Sequence, residues 1–173
     1  MIRTLDQRLP LDRELILVPT FALLTALGAK VKIPLPFTPV PITLQVFFVL
    51  LSGSFRTGYM SQILYLSLGL LGAPFFAFGG GIGYLAGPTG GYLIAFPIAS
   101  YLIGWLIERG RPFYLAAAAS ILVIYLLGTM QLAIVLQIPL LKAILIGAIP
   151  FIPYDTIKAI GSAYLIREIK NWR

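Results

Sequence analysis

The uncharged stretch from Phe113 to Leu136 is the feature that most constrains the fold, because it contains no Asp, Glu, Lys, Arg or Pro. A helix needs about 20 mainly apolar residues to cross the ~30 Å hydrocarbon core of a bilayer, and this stretch is long enough. A soluble domain would have to bury a helix of this kind on every side. The stretch therefore predicts a membrane-spanning helix.

The rest of the chain has the same apolar character. Of its 173 residues, 59% are hydrophobic and only 11% are charged, whereas soluble domains average about 25% charged residues. This composition excludes a soluble enzyme, a disordered chain and a collagen-like fibre. It predicts an all-α polytopic membrane protein in which residues 1–173 form a single transmembrane domain.

Several classes of chemistry are excluded by residues that the sequence lacks. The chain has no Cys and no His, so it offers no disulfide, thiol nucleophile, imidazole base or common zinc ligand. No Gly-Lys-Ser/Thr sequence follows a glycine-rich segment, so the chain carries no visible P-loop for ATP. We therefore predict neither an enzyme nor a metal or cofactor site.

Apolar runs divide the chain into six predicted spans, and the loops between them contain prolines and glycines. The spans are Leu15–Ala29, Ile42–Gly53, Gly58–Ala73, Tyr92–Ile107, Phe113–Leu136 and Pro153–Ile169. The second span is short for a bilayer, which predicts that it is tilted or longer than these limits. Loops 1, 3 and 5 are interrupted by proline or glycine and are predicted to be irregular.

The net charge of +7 is best explained as a topology signal and as contact with anionic membrane lipid, because no basic cluster carries the interleaved aromatics of a nucleic-acid site. One side of the membrane would hold Arg3, Arg8, Arg13, Arg56, Arg109, Arg111, Arg167, Lys170 and Arg173, and the other Lys30, Lys32 and Lys142. The positive-inside rule then predicts that both termini are cytoplasmic and that loops 1, 3 and 5 face outward.

Asp155 and Lys158 are the strongest candidates for function. They stand three residues apart at the start of the sixth span, so they lie on one helical face. Ionisable side chains within a span are costly, which points to a ligand contact facing the protein interior. The alternative is an internal ion pair that fixes helix packing, with Asp155 also capping the helix.

A glycine-rich segment, residues 79–91, forms most of loop 3. Its glycines permit close backbone approach, and its free N–H groups before Tyr92 could meet an anion or a carbonyl oxygen. Tight packing is the alternative.

Gln45, one turn into the second span, could also face a ligand, although hydrogen bonding between helices is the commoner role of such an amide.

Ala22 and Ala26 lie four residues apart in the first span, where small side chains allow close helix approach. One interpretation is a partner membrane protein that packs on this face. The other is packing against a helix of the same chain.

Three motifs together resemble the BioY family, the biotin-binding S components of energy-coupling factor (ECF) transporters. They are Ile33–Gln45 (IPLPFTPVPITLQ), Gly87–Tyr92 (GPTGGY) and Pro150–Ala159 (PFIPYDTIKA). The resemblance covers almost the whole chain. Tyr154 departs from it, because the family usually has glycine before the aspartate. The family also has a side-chain amide in loop 3 of some members, whereas this loop offers Tyr84 and Thr89.

The resemblance implies a six-helix substrate-capture subunit in the plasma membrane of a prokaryote, with the first loop closing over biotin from outside. It implies ligand contacts from Asp155 and Lys158, with Gln45, Tyr84, Thr89, Gly90, Gly91 and Tyr92 as further candidates. It also implies that the Ala22 and Ala26 face docks on a transmembrane coupling subunit driven by two cytoplasmic ATPase subunits, and that the S component topples to deliver biotin inward.

Two other functions stay open at this point. A solitary facilitative or proton-coupled carrier of biotin or a related small carboxylate could use Asp155 for coupling. A membrane enzyme or a structural anchor is the third possibility. An enzyme would have to work with a Lys or Asp mechanism alone, and an anchor would not need irregular outer loops.

Overall fold

A computed structural model describes the backbone of residues 11–171 and the side chains of residues 15–169. The described residues are mainly helical. The helices are α1 Leu11–Lys30, α2 Gln45–Ser52, α3 Gly58–Leu70, α4 Ile82–Leu85, α5 Gly90–Glu108, α6 Phe113–Leu136, α7 Leu140–Gly147 and α8 Ile152–Asn171; a 3-10 helix, Ile149–Phe151, precedes α8, and two strands, β1 Lys32–Leu35 and β2 Thr38–Thr43, follow α1.

Within residues 11–171, three helical segments are long and apolar enough to cross a membrane. They are α5, α6 and the continuous segment Leu140–Ile169, which joins α7, the 3-10 helix and most of α8. A fourth segment, Leu15–Lys30 within α1, is apolar but shorter. Large apolar side chains are exposed along α6 and α8, including Leu122, Ile134 and Ile157. Such surfaces suit acyl chains rather than water, so the chain is a multi-pass membrane protein.

The second predicted span is shorter in the structure than in the sequence-based prediction. Helix α2 has eight residues, which corresponds to about 12 Å of rise. It does not continue past the predicted limits. Instead, β2 leads into it through Leu44, and most side chains from Thr38 to Ser52 are buried or half-buried. The predicted span is therefore helical from Gln45 to Ser52, and its first two residues, Ile42 and Thr43, belong to β2.

Loop 1, where the four prolines predict extended backbone rather than helix, forms a two-stranded antiparallel hairpin in a mostly helical fold. Lys32 pairs with Thr43, Ile33 with Ile42 and Leu35 with Thr38, with a register shift between Ile33 and Leu35. Proline lacks an N–H and is tolerated on edge strands. Both strands of a two-stranded hairpin are edges, so the prolines at 34, 36, 39 and 41 exclude a helix without excluding a strand.

Loops 3 and 5 also contain regular structure that was not predicted. The four-residue helix α4 lies in loop 3, and α7 with the 3-10 helix fills loop 5. In loop 3, Gln131 of α6 donates hydrogen bonds to the carbonyls of Leu85 and Gly87, at 2.7 and 2.8 Å. These bonds fix the glycine-rich segment against the bundle.

The core between α1, α2, α3 and α5 contains a buried hydrogen-bond network. The Gln62 amide donates to the hydroxyls of Thr25, at 3.1 Å, and Ser52, at 3.0 Å. The Ser52 hydroxyl also lies 3.2 Å from that of Ser100. Polar side chains within membrane spans commonly join helices in this way. This network fixes the helices that support the hairpin.

Candidate functional site

A cavity of about 60 Å³ lies at the end of the bundle that carries the hairpin. It is enclosed by β2, α2, loop 3, α5, α6 and the start of α8. Its walls are mainly apolar and aromatic, with a few converging polar groups. The lining residues are Val40, Pro41, Thr43, Gln45, Val46, Ala77, Tyr84, Thr89, Tyr92, Leu93, Phe96, Ile124, Tyr125, Phe151, Asp155 and Lys158. A small-molecule site has this composition.

Asp155 and Lys158 form an ion pair in the wall of the cavity. The Lys158 ammonium lies 2.6 Å from Asp155 Oδ1, and the two side chains are 10% and 4% exposed. The i, i+3 spacing in α8 brings the two groups together. Asp155 also lies in the first turn of α8, where the helix dipole favours a negative charge. The pair presents an acceptor and a cationic donor side by side.

Tyr125 of α6 completes this cluster and was not identified from the sequence. Its hydroxyl donates to Asp155 Oδ2 at 2.7 Å, so the two carboxylate oxygens have different partners. A tyrosine hydroxyl in an apolar span normally needs a polar partner. A tyrosine within an apolar span was therefore the feature of the sequence that could have identified Tyr125. The sequence does not indicate which polar partner its hydroxyl contacts.

Gln45 lines the cavity and is held from two sides. The Thr43 hydroxyl donates to Gln45 Oε1 at 3.0 Å, and the Gln45 amide donates to the hydroxyl of Tyr65. One amide N–H and one lone pair of Gln45 remain beyond these bonds. Gln45 therefore connects β2 to α3, as a buried amide commonly does. It also offers one hydrogen-bond donor and one acceptor to the cavity.

The predicted residues of loop 3 and α5 divide into two groups. Tyr84 and Thr89 line the cavity, and so does Tyr92, whose hydroxyl donates to the Gly147 carbonyl at 2.8 Å. Gly90 and Gly91 are not among the lining residues. The Gly90 N–H donates to the Gly87 carbonyl at 3.2 Å. The structure therefore favours close packing for these glycines, and a ligand contact from Gly90 or Gly91 stays a prediction.

Ala22 and Ala26 are only 1% and 7% exposed. They face the interior, where α1 packs against α2 and α3. The structure favours packing within the chain, and docking of a partner helix on this pair stays a prediction. The exposed face of α1 instead carries Leu23 and Leu27.

Tyr154 points away from the cavity. Its side chain is 44% exposed and is not among the lining residues. In an α-helix, adjacent residues point about 100° apart, so a bulky residue beside Asp155 does not have to enter the same space. The departure from the family pattern at Tyr154 therefore adds no bulk to the cavity.

Two lysines connect the hairpin region to loop 3 at the mouth of the cavity. The Lys30 ammonium donates to the Phe76 carbonyl at 2.9 Å, and that of Lys32 donates to the Ala77 carbonyl. Lys32 also lies 3.9 Å from the centre of the Phe78 ring. Loops 1 and 3, which were predicted to face the same side, are therefore in direct contact.

These features define a helical membrane protein with a small-ligand cavity at one end of its bundle. The BioY family model matches residues 4–173. The chain belongs to the BioY family. It therefore belongs to a family of membrane transport proteins and is not an enzyme.

The relatives agree with this assignment over nearly their whole length. A probable biotin transporter BioY of Pyrococcus horikoshii is 45% identical, with 90% of this chain and 94% of that protein covered. The biotin transporter BioY of Thermotoga maritima is 41% identical over 92% of this chain and 96% of that protein. The crystal structure of the S-component for biotin from an ECF-type ABC transporter superposes with a TM-score of 0.85 at 25% identity, covering 95% of both chains.

Proposed function

We propose that the chain is the substrate-capture component of an ECF-type importer and binds biotin in the cavity at the hairpin end. The observation that carries this proposal is the buried Asp155–Lys158 pair in the wall of that cavity, in a member of the BioY family. The relatives named as biotin transporters and the S-component structure support the ligand and the transporter class.

The chemistry of the cavity matches the parts of biotin. Biotin has a cyclic urea, an apolar thioether ring with an alkyl tail, and a carboxylate. The Asp155 carboxylate can accept the urea N–H groups, and the Lys158 ammonium can donate to the urea oxygen. The Tyr92, Phe96 and Phe151 rings line the same cavity and can cover the apolar ring.

The cavity has to widen when a ligand of this size binds. Its volume is about 60 Å³, whereas sites for small molecules typically enclose about 300–1,000 Å³. The hairpin and loop 3 are the elements that separate it from the outer side, and Lys30 and Lys32 hold them together. We infer that capture involves separation of loop 3 from the hairpin.

The proposed membrane organisation keeps six spans, with residues 1–173 forming one substrate-binding domain. The spans are α1, the β2–α2 segment, α3, α5, α6 and α8. The basic residues of the second and fourth loops, Arg56, Arg109 and Arg111, support cytoplasmic termini through the positive-inside rule. A transmembrane coupling subunit and two ATPase subunits are the proposed partners. The exposed Leu23 and Leu27 face of α1 is available to such a subunit.

Titration calorimetry with biotin tests the proposal most directly. We expect the detergent-purified chain to bind biotin tightly without ATP, because capture by an S component precedes energy coupling. Absence of binding would contradict the proposed ligand. In proteoliposomes that contain this chain alone, we expect no concentrative uptake. Uptake without an ATPase would instead favour the solitary carrier.

Tyr125→Phe tests how the Asp155 carboxylate is positioned. The substitution removes the hydroxyl that donates to Asp155 Oδ2 and preserves the ring. We expect biotin affinity to fall about 15- to 100-fold, within the range for loss of one hydrogen bond to a charged group. Tyr101→Phe is a suitable control, because Tyr101 is exposed and lies outside the cavity. An unchanged affinity for Tyr125→Phe would rule out this positioning role.

A further inference from the structure

The hairpin end of the molecule carries an excess of positive charge. Among the described residues, its lysines are Lys30, Lys32, Lys142 and Lys158, and its acid is Asp155. The other described acids lie at distant helix ends. Glu108 ends α5, and Glu168 is near the end of α8. No acid other than Asp155 neutralises this end within the described part of the chain.

These lysines differ in how their charges are compensated. Lys158 is paired with Asp155 at 2.6 Å, so that pair is neutral overall. Lys30 and Lys32 donate to backbone carbonyls and, within residues 15–169, have no carboxylate partner. A carboxylate placed beside Lys158 would also face the negative charge of Asp155. A carboxylate beside Lys32 would meet an uncompensated cation.

Lys32 is not itself a lining residue of the cavity, but two independent contacts join it to residues that are. It pairs directly with Thr43 across the hairpin, and directly opposed residues project to the same face with Cβ atoms about 4.5–5.5 Å apart. It also donates to the carbonyl of Ala77. Both Thr43 and Ala77 line the cavity. The ammonium has three N–H donors, so two remain beyond the bond to Ala77.

We propose that Lys32 binds the carboxylate of the ligand at the mouth of the cavity, with Lys30 contributing a second positive charge beside it. The inference rests on the proposed function. The ligand then lies with its carboxylate toward the hairpin and loop 3 and its neutral polar ring toward Asp155 and Lys158. Lys32 thus has two roles, because the same side chain that connects loop 3 to the hairpin selects an anionic ligand.

Lys32→Met tests this orientation when two ligands are compared, biotin and its uncharged methyl ester. Calorimetry on the detergent-purified full chain gives both dissociation constants. We expect the substitution to weaken biotin binding at least about tenfold, as expected for loss of a charge-assisted hydrogen bond, and to weaken ester binding less than about threefold. Lys32→Arg should restore most of the difference, because it restores the charge.

Two further variants separate the local contact from general electrostatic attraction. Lys142→Met removes an exposed lysine of α7, outside the cavity but at the same end, and should change biotin affinity less than about twofold because salt screens exposed charges. Lys158→Met should weaken acid and ester alike. If Lys32→Met weakens both ligands equally, or neither, the carboxylate does not bind at Lys32. If the unmodified chain binds neither ligand, the proposed function fails as well.

Discussion

Asp155→Asn raises the dissociation constant for biotin at least about 100-fold in titration calorimetry, corresponding to ~2.8 kcal/mol or more of lost binding free energy. The carboxylate is an acceptor on both oxygens, whereas the amide offers only one acceptor oxygen. Hydrogen bonds to a charged group contribute about 1.5–3 kcal/mol each. The substitution removes one of the two acceptors and makes the remaining hydrogen bond neutral, which together account for a change of this size. Lys158→Met should have a comparable effect.

Each single substitution also leaves one buried charge without its partner, which costs about 3–5 kcal/mol of folding stability. The loss of binding by a single variant could therefore arise from misfolding. The double variant Asp155→Asn/Lys158→Met removes both charges at once and keeps the side-chain volumes similar. Replacing a buried ion pair by neutral groups is often tolerated or even stabilising. We expect this variant to fold and still fail to bind biotin.

The double variant distinguishes the two interpretations of the pair. If Asp155 and Lys158 only fix the packing of α8, the neutral variant with restored stability should bind biotin with normal affinity. If they contact the ligand, stability returns and binding does not. Melting temperature in detergent and the dissociation constant, measured on the same preparation, provide both results. Normal binding by a well-folded double variant would remove the ligand-contact assignment.

The membrane helices were predictable to different degrees, for reasons that the structure makes clear. The span predicted at Phe113–Leu136 has the same bounds as α6, because a long uncharged run has no competing explanation. The run at Ile42–Gly53 was not resolved into β2 and α2, since a short apolar run fits a buried strand or a buried helix equally well. Proline indicated where helices could not form and did not indicate that a hairpin would form.

The charged residues of the site were predictable, because a charged side chain within a span is energetically costly. Residues whose role depends on which side of a helix faces the interior were not predictable. Asp155 and Lys158 stood out because charges are rare in a span, and they do line a cavity with Gln45, Tyr84 and Thr89. Their contact with ligand stays a prediction. Tyr125 was missed because α6 is apolar on every side, so no periodicity marks its inner face.

The role of small residues was the least predictable feature. Ala22 and Ala26 indicate a close helix contact, but small side chains do not specify whether the neighbour belongs to the same chain. The same ambiguity affected Gly90 and Gly91, which pack against Leu85 and α6. In both cases, the neighbour of the small residue is set by tertiary packing, which cannot be read from the local sequence.

Gly91→Ala should destabilise the protein by about 3 kcal/mol or more, at the upper end of the range for overpacking substitutions. A methyl group at this position would meet the backbone carbonyl of Leu127 and the side chain of Gln131. Backbone cannot rotate away as a flexible side chain can, so α5 would have to separate from α6. We expect a lower melting temperature in detergent and a reduced yield of monodisperse protein on size-exclusion chromatography.

Gly83→Ala is the matched control, because it lies in the same glycine-rich segment and a methyl group there would meet nothing within 4 Å. Its backbone is also not among the positive-φ glycines, so alanine is compatible with the position. We expect its melting temperature and biotin affinity to equal those of the unmodified chain. If Gly91→Ala instead keeps full stability while losing biotin affinity, the backbone at Gly91 contacts the ligand and the packing assignment is wrong.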